Sequence, residues 1–393
     1  MNNIYDIAVV GGAGHVGLPL SIVFALKGLK VLVLDKDKKA LHKIKQGQMP
    51  FMEYGSDDLL PKALQSGKLS LSDDASEIAG AGHIVVTIGT PVDEFLSPSL
   101  KPIAQCMDEL IPFLHDKQDL VLRSTVYPGV TTWVAHYLSS KGLQTRISFC
   151  PERIVQGYAI EELQTLPQIV SGFTQEAEDN AAKLFSVIAP SVVRMQPMEA
   201  ELAKLFSNAY RYIQFAVANQ FYMIAQSAGV DYYNVLAGLT KDYERAKDIP
   251  KAGFAAGPCL FKDTMQLSAF FKNQFSLGFS AMLVNEGLPG FIVDQLAKKY
   301  DLAQSTVGLL GMAFKADIDD TRASLSYKLK KLLAFRCKEV LTTDPWVKND
   351  PELYPLEEVV EKCDVMVLCV PHSVYREINF KDKAVLDVWK FID

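Results

Sequence analysis

The chain of 393 residues is 49% hydrophobic and 22% charged, with a formal net charge of −6. That balance fits a globular protein of two or three domains and argues against nucleic acid as the main partner, because phosphate-binding surfaces carry a basic excess. The six cysteines (Cys106, Cys150, Cys259, Cys337, Cys363, Cys369) form no CxxC pair and no His-containing ligand spacing, so neither a metal site nor disulfides are expected.

The apolar opening from Ile7 to Leu34 lacks a basic leader and is broken by a glycine cluster, so it reads as a buried strand and helix rather than a signal peptide. Tyr5-Asp-Ile-Ala-Val-Val10 is followed by Gly11, and Gly12-Ala-Gly14-His15-Val16-Gly17 opens a helical pattern. The second strand, from Lys30, ends in Asp35. A G-x-G-x-x-G string is weak alone but specific between a strand and a helix, where a dinucleotide pyrophosphate meets the helix N-terminus. Gly12 is expected to permit the tight turn, Gly14 the approach of the pyrophosphate and Gly17 the helix–strand contact. Asp35 is placed to bind ribose hydroxyls, which favours NAD over NADP, with the neighbouring Lys36 pulling the other way.

Two further strand signals, His83–Ile88 and Asp119–Thr125, lead to Thr90 and Thr125, which should face the cofactor crevice at the carboxyl ends of the strands. Ser148-Phe-Cys-Pro-Glu-Arg153 is another short strand running into a charged loop. Glu152 and Arg153 there could pair with each other or serve a site. From Pro197 to Gly229 runs a long helical pattern, with Lys204, Asn208 and Arg211 on one face and Gly229 as C-cap. Its segment from Ala209 to Ala225 is apolar, but Arg211, Gln214, Asn219 and Gln220 would be expensive in lipid. No membrane segment is therefore expected, and the protein is placed in the cytoplasm.

Small residues (Gly253, Ala255, Ala256, Gly257) precede Cys259 and should let a substrate approach its sulfur, while Asp263 follows four residues later. If a helix starts there, thiol and carboxylate share a face near a helix N-terminus, which favours a thiolate. A lone cysteine is otherwise more often inert core. Strand signals resume at Thr306–Gly311, Glu339–Asp344, Asp364–Val370 and Ala384–Asp387, which indicates a second α/β lobe. It lacks the glycine string and is expected to hold a different phosphate group. Lys315, Asp317, Asp319, Asp320 and Arg322 form a charged loop after the first of these strands. The resulting domains are 1–196, 197–304 and 305–393.

In the order and spacing of its glycine turn, Lys/Asn helix, Cys–Asp loop and Phe-Lys-x-Asp-x-x-Asp-x-Arg string, the chain resembles the UDP-glucose/GDP-mannose dehydrogenase family from Gly12 to about Asp387. The resemblance implies an α/β fold of two Rossmann-like doubly wound lobes joined by a long helix that dimerises. It also implies oxidation of a nucleotide sugar's primary alcohol to a uronic acid with two NAD per turnover. Carried onto this sequence, it makes Cys259 the nucleophile, through a thiohemiacetal and a thioester. Lys204 would stabilise negative charge on the sugar oxygen with Asn208 beside it, Asp263 and Thr125 would position water, and Glu152 would share acid–base work. Glu152, Arg153, Ile154, Lys204, Asn208 and Lys315 would touch substrate, Arg322 the cofactor phosphate, and Arg245 the active site of a partner subunit. Arg211 and Arg245 lean toward the branch that oxidises UDP-N-acetylmannosamine or UDP-N-acetylglucosamine, since a guanidinium can donate to an acetamido carbonyl. UDP-glucose oxidation and a non-catalytic nucleotide-sugar-binding protein are the alternatives. Pro258, Ala255-Ala256 and Ala323 depart from the family pattern and put substrate identity, more than reaction type, in question.

Overall fold

Short apolar runs buried on both faces suit parallel strands covered by helices. In the computed structural model, described over residues 3–93, 96–380 and 383–392, they form two separate parallel sheets. The chain packs as two compact units, one up to Ser207 and one from Asn208 onward.

The first unit runs β1 (Tyr5–Val10), α1 (Gly17–Leu26), β2 (Val31–Leu34), α2 (Lys38–Lys45), α3 (Ser56–Gln65), β3 (Leu69–Ser72), β4 (Ala81–Val86), α4 (Lys101–Leu110), β5 (Asp119–Leu122), α5 (Val130–Ser140), β6 (Arg146–Phe149), α6 (Ala159–Thr165), β7 (Gln168–Val170), α7 (Gln175–Phe185) and β8 (Val192–Arg194). Its main sheet has the order β3-β2-β1-β4-β5-β6, every pair parallel, the doubly wound order of dinucleotide-binding folds. The strand order reverses between β1 and β4, so loops at their carboxyl ends border a crevice. Ile7, Val9, Val31, Val33, Leu18 and Ile22 fill one side of the sheet, and Ala8, Leu32, Ile84 and Leu120 the other. The short edge strand β3 and the separate parallel pair β7–β8 were not legible beforehand, because strands of three or four residues carry too little periodicity.

The helix α8 (Pro197–Ser227) starts in the first unit and ends in the second. Proline suits its first turn, and Gly229 at φ +75° ends it, with Val230 N–H donating back to Ala225. Glu201, near its start, caps α5: its carboxylate accepts from Gly129 N at 2.6 Å and Thr131 N at 2.9 Å. The second unit continues with α9 (Tyr232–Thr240), α10 (Leu260–Phe270), α11 (Ser276–Ala297), β9 (Thr306–Leu310), α12 (Leu325–Ala334), β10 (Glu339–Thr343), α13 (Leu356–Lys362), β11 (Val365–Leu368) and β12 (Ala384–Asp387). Its sheet is parallel in the order β10-β9-β11-β12, again reversing beside its first strand. Among the described residues α11 is the one helix long and apolar enough to cross a membrane. Leu288, Ile292, Val293 and Leu296 of that helix lie in the second unit's core, against residues of α12 and the sheet.

Candidate active site

In the first unit the glycine turn divides its labour differently from the sequence expectation. The left-handed residue is Gly11, at φ +75°, and its N–H and that of Gly12 donate to Leu34 at 2.9 and 3.1 Å. Gly12 is required by packing: a Cβ there would lie 2.6 Å from Val9 O and 3.0 Å from Val33. At Gly17 it would lie 2.6 Å from Gly11 O and 2.7 Å from the Gly12 Cα, so the expected helix–strand contact is present. Gly14 is different. A Cβ there would meet only Gly11 O at 3.5 Å, an ordinary contact, so the fold itself leaves this residue room for a side chain. The α1 N-terminus follows at Val16 without a side-chain cap or an acid in its first turn, which leaves its positive end uncompensated.

Asp35 stands beside this turn, accepting from Ala13 N at 2.9 Å with Oδ2 and from Asp37 N at 3.0 Å with Oδ1. One N–H on each oxygen fixes the carboxylate and leaves lone pairs for a diol. Lys36, which could have favoured a 2′-phosphate, is paired with Glu109 at 2.5 Å. His15 packs on Phe51 with the rings tilted at 38° and their centroids 4.0 Å apart. Thr90 and Thr125, in adjacent loops after β4 and β5, are joined by a hydrogen bond from the Thr90 hydroxyl to Thr125 O at 2.5 Å. These residues fit a dinucleotide: a cradle open at Gly14, an uncapped helix end for the pyrophosphate and a pre-oriented acid for the ribose.

Glu152 and Arg153 do not pair. The Glu152 carboxylate is held by the wholly buried Arg123, which also donates to Cys150 O at 3.1 Å and Gln168 at 2.9 Å and lies over the Phe185 ring. The other Glu152 oxygen accepts from Arg153 N and Ile154 N at 2.7 and 3.0 Å. The Arg153 guanidinium bonds Pro167 O instead. Arg123 was missed in the sequence because it sits inside a strand-end run, where a buried cation gives no periodic signal.

On α8, Lys204 is buried, and its ammonium has no hydrogen-bonding or ionic partner among the described residues. An ammonium without a protein partner at the end of an otherwise buried side chain is open to an external acceptor. Asn208, one turn on, donates to Asp263 at 2.5 Å. Arg211 is exposed and likewise makes no ion pair among the described residues.

Cys259 is the N-cap residue of α10 and is exposed. Asp263 N donates to Cys259 O at 2.8 Å, as the helical spacing requires, and the Asp263 carboxylate is wholly buried between Asn208 and Lys262, whose ammonium lies 2.6 Å away. Lys262 was not foreseen as a partner. The other cysteines are inert by comparison: burial pushes Cys106, Cys150, Cys363 and Cys369 up to about 12 and also raises Cys337.

Two of the glycines before Cys259 are required by packing. A Cβ at Gly253 would lie 2.4 Å from the Trp389 ring and one at Gly257 2.6 Å from Phe314. Asn219 of α8 brackets Gly253, donating to its O at 3.0 Å and accepting from its N at 2.8 Å, and Asn285 of α11 orients Asn219 at 2.9 Å. Asn219 had shown in the sequence only as a polar residue in an apolar helix. Gly257 N donates to Ala323 O at 3.2 Å, which ties the cysteine loop to the charged loop after β9. In that loop Arg322 grips Asp320 through several hydrogen bonds. Its basicity is raised chiefly by that carboxylate and in smaller part by the neighbouring Cys259. Lys315 lies half-buried in the same loop, and Arg245 is exposed over the Tyr243 ring at 5.7 Å. Among the described residues no group of His, Cys, Asp and Glu could hold a metal ion.

Comparison with known proteins extends these observations over the whole chain. Residues 5–189, 198–286 and 308–393 match, respectively, the NAD binding, central and UDP binding domains of the UDP-glucose/GDP-mannose dehydrogenase family. A UDP-N-acetyl-D-mannosamine dehydrogenase of Pyrococcus horikoshii is 29% identical over 392 residues, covering 95% of this chain and 91% of that protein. A solved structure of UDP-D-ManNAc dehydrogenase from Pyrococcus horikoshii superposes with a TM-score of 0.91 at 28% identity, covering 98% and 96% of the two chains. That of a UDP-glucose dehydrogenase from Pyrobaculum islandicum gives 0.91 at 24% identity, covering 99% and 96%, and so bears on the fold alone.

Proposed function

Because the chain belongs to the UDP-glucose/GDP-mannose dehydrogenase family and is an NAD-dependent nucleotide-sugar dehydrogenase, we propose that it oxidises the primary alcohol of a UDP-N-acetylhexosamine to the uronic acid through Cys259. The observation that carries this reading is the pairing of chemistries in the second unit: the one exposed cysteine caps a helix whose first-turn carboxylate, Asp263, is buried against Asn208.

The residues divide the work as follows. NAD would be held by the Gly14 cradle, the α1 N-terminus and Asp35, and would supply the hydride acceptor for each of two oxidations. In the first oxidation, to the aldehyde, the alcohol would lose its carbon-bound hydride to the nicotinamide and its hydroxyl proton to a base, work in which Glu152 shares. Lys204, an ammonium without a partner among the described residues, stabilises the developing charge on the sugar oxygen, with Asn208 beside it. The Cys259 thiolate would add to the aldehyde carbon to give the thiohemiacetal as its alkoxide, steadied by Lys204, and loss of a second hydride from that alkoxide would leave the thioester. Water, oriented by Asp263 and Thr125 with Glu152 sharing the proton transfers, adds to the thioester carbon and expels the thiolate, which returns Cys259. Arg153, Ile154 and Lys315 contact the nucleotide sugar, and Arg322 the cofactor phosphate.

The acetamido assignment rests on Arg211, exposed and without an ion-pair partner among the described residues, and on the names of the relatives. Glu152, the acid with which Arg211 might have paired, already holds Arg123. The protein acts as a cytoplasmic homodimer. Support comes from α8, where Phe206, Tyr210, Val217, Phe221 and Ile224 are 54%, 63%, 40%, 43% and 57% exposed at the spacing of a helix-pairing stripe. A second copy would cover that stripe and receive Arg245 into its site.

NADH formation from UDP-glucose, UDP-N-acetylglucosamine, UDP-N-acetylmannosamine and GDP-mannose at equal concentration tests the reading. Two NADH per acid are expected, with an acetamido sugar preferred. A tenfold preference for UDP-glucose, about 1.4 kcal/mol in the transition state, would overturn the sugar assignment. In Cys259→Ser the reaction should stall after one oxidation, because an alkoxide is the poorer nucleophile and leaving group. Full activity in that variant removes the thioester route.

A further inference from the structure

The buried histidine of the second unit lies outside every role assigned so far. His372 follows β11 and is wholly inaccessible to solvent. Its Nδ1 lies 2.9 Å from Asp317 N, an atom that can only donate, so Nδ1 carries a lone pair and the ring proton sits on Nε2. That proton points at Asp344 Oδ2, 3.0 Å away. The same oxygen accepts from Met312 N and Ala313 N at 2.6 and 2.9 Å. Asp317 returns the contact, its Oδ1 accepting from Ser373 N and Oγ at 2.9 and 3.0 Å.

All these bonds converge on one loop, residues 312–323. It carries Lys315 and Arg322, and at its end Ala323 O accepts from Gly257 N in the cysteine loop while Phe314 packs against Gly257. Asp317 and Ala323 hold left-handed backbone at φ +55° and +52°, a conformation that costs a non-glycine residue free energy unless its surroundings impose it. Resting on the reading of this unit as the nucleotide-sugar half, we propose that His372 is a positioning residue: protonated on Nε2 alone, it ties Asp344 to the Asp317 backbone and fixes the loop that presents Lys315 and Arg322 and braces the Cys259 loop.

Two full-length variants test this. His372→Phe keeps the ring and its edge contact with Tyr375 but drops both hydrogen bonds. His372→Gln restores a neighbouring acceptor and donor on one side-chain amide. In His372→Phe, backbone amide exchange across 312–323 should quicken about tenfold or more while β9 and β11 stay protected. UDP, measured by calorimetry, should bind about tenfold more weakly, on the scale of one lost hydrogen bond. His372→Gln should recover most of both. Unchanged exchange in His372→Phe would overturn the proposal, as would loss of protection through the whole unit with His372→Gln no better. The functional reading fails separately: a wild-type chain that binds no UDP, while 312–323 still loosens in His372→Phe, leaves the positioning role intact and removes the nucleotide-sugar half.

Discussion

The two sheets begin with the same backbone device. In the first unit β1 runs into Gly11 at φ +75°, whose N–H donates to Leu34 at 2.9 Å, and Asp35 after β2 accepts from the turn and from the residue two positions on. In the second, β9 runs into Gly311 at φ +94°, whose N–H donates to Thr343 at 2.9 Å, and Asp344 after β10 accepts from the turn and from Trp346 N at 2.8 Å. What fills the frame differs. Asp35 has one N–H on each oxygen, whereas Asp344 also receives Ala313 N, Val347 N and the buried His372. α1 starts at Gly17, close behind its strand and uncapped, while α12 starts at Leu325 after a long loop, with Ser324 as its cap. The same strand–turn–acid frame is therefore open to a dinucleotide in one unit and closed upon itself in the other. The physical difference lies in a few side chains, not in topology.

Substituting the two acids should break this symmetry most sharply. Asp344→Leu leaves several buried N–H groups and the His372 proton without an acceptor, at about 1–3 kcal/mol each. The total is comparable to a domain's whole stability, so the second unit should not fold. Asp35→Leu leaves only the Ala13 and Asp37 N–H groups at a partly exposed site. It should change stability by less than about 2 kcal/mol while raising the KM for NAD at least tenfold. Denaturant midpoints and NAD titration read both. A folded Asp344→Leu would mean that the second frame is not held by its acid.

The glycines sharpen the same comparison within one unit. Gly17→Ala drives a methyl to 2.6 Å from Gly11 O, a backbone clash costing about 1–3 kcal/mol. Gly14→Ala meets nothing closer than 3.5 Å, so its folded stability should stay within about 0.5 kcal/mol of wild type. NAD affinity should nevertheless fall if the pyrophosphate approaches Gly14, as proposed above. Normal NAD binding by Gly14→Ala would withdraw that residue from the cofactor site.

The frame was legible where local signals coincide. Strand, glycine string and Asp35 follow each other within one short stretch, and the long helix announces itself by its length and by Gly229. The partners were not. Arg123 meets Glu152 across 29 residues and His372 meets Asp344 across 28, so no spacing rule joins them. Glu152 and Asp344 were in view as residues, yet Asp344 was read only as the end of a strand. The sequence offered Gly253 and Gly257 only as room for substrate, because it cannot show the Trp389 and Phe314 rings that require them. Asn219 carried a real signal, a wholly buried amide on an apolar helix, but not the identity of what it holds.

The smallest expected effect is a dependence of stability on pH that belongs to the closed frame. Burial by itself would raise the Asp344 carboxyl, but the hydrogen bond from His372, with those from Ala313 and Trp346 N–H, outweighs it and holds the group below the usual carboxylate range. A carboxyl depressed in the folded state contributes stability that is fully present above its unfolded value, about 3.9, and is lost as pH falls through the lower folded value. Urea midpoints of the wild type should therefore fall as pH drops below about 4, in the range where Asp344 takes up its proton in the unfolded chain but not yet in the folded one. Asp344→Asn keeps an oxygen acceptor and removes the titration, so its midpoint should start lower at pH 7 and show a shallower acid limb. Parallel acid limbs in the two proteins would show that the Asp344 carboxylate is not held by the partners that the geometry gives it.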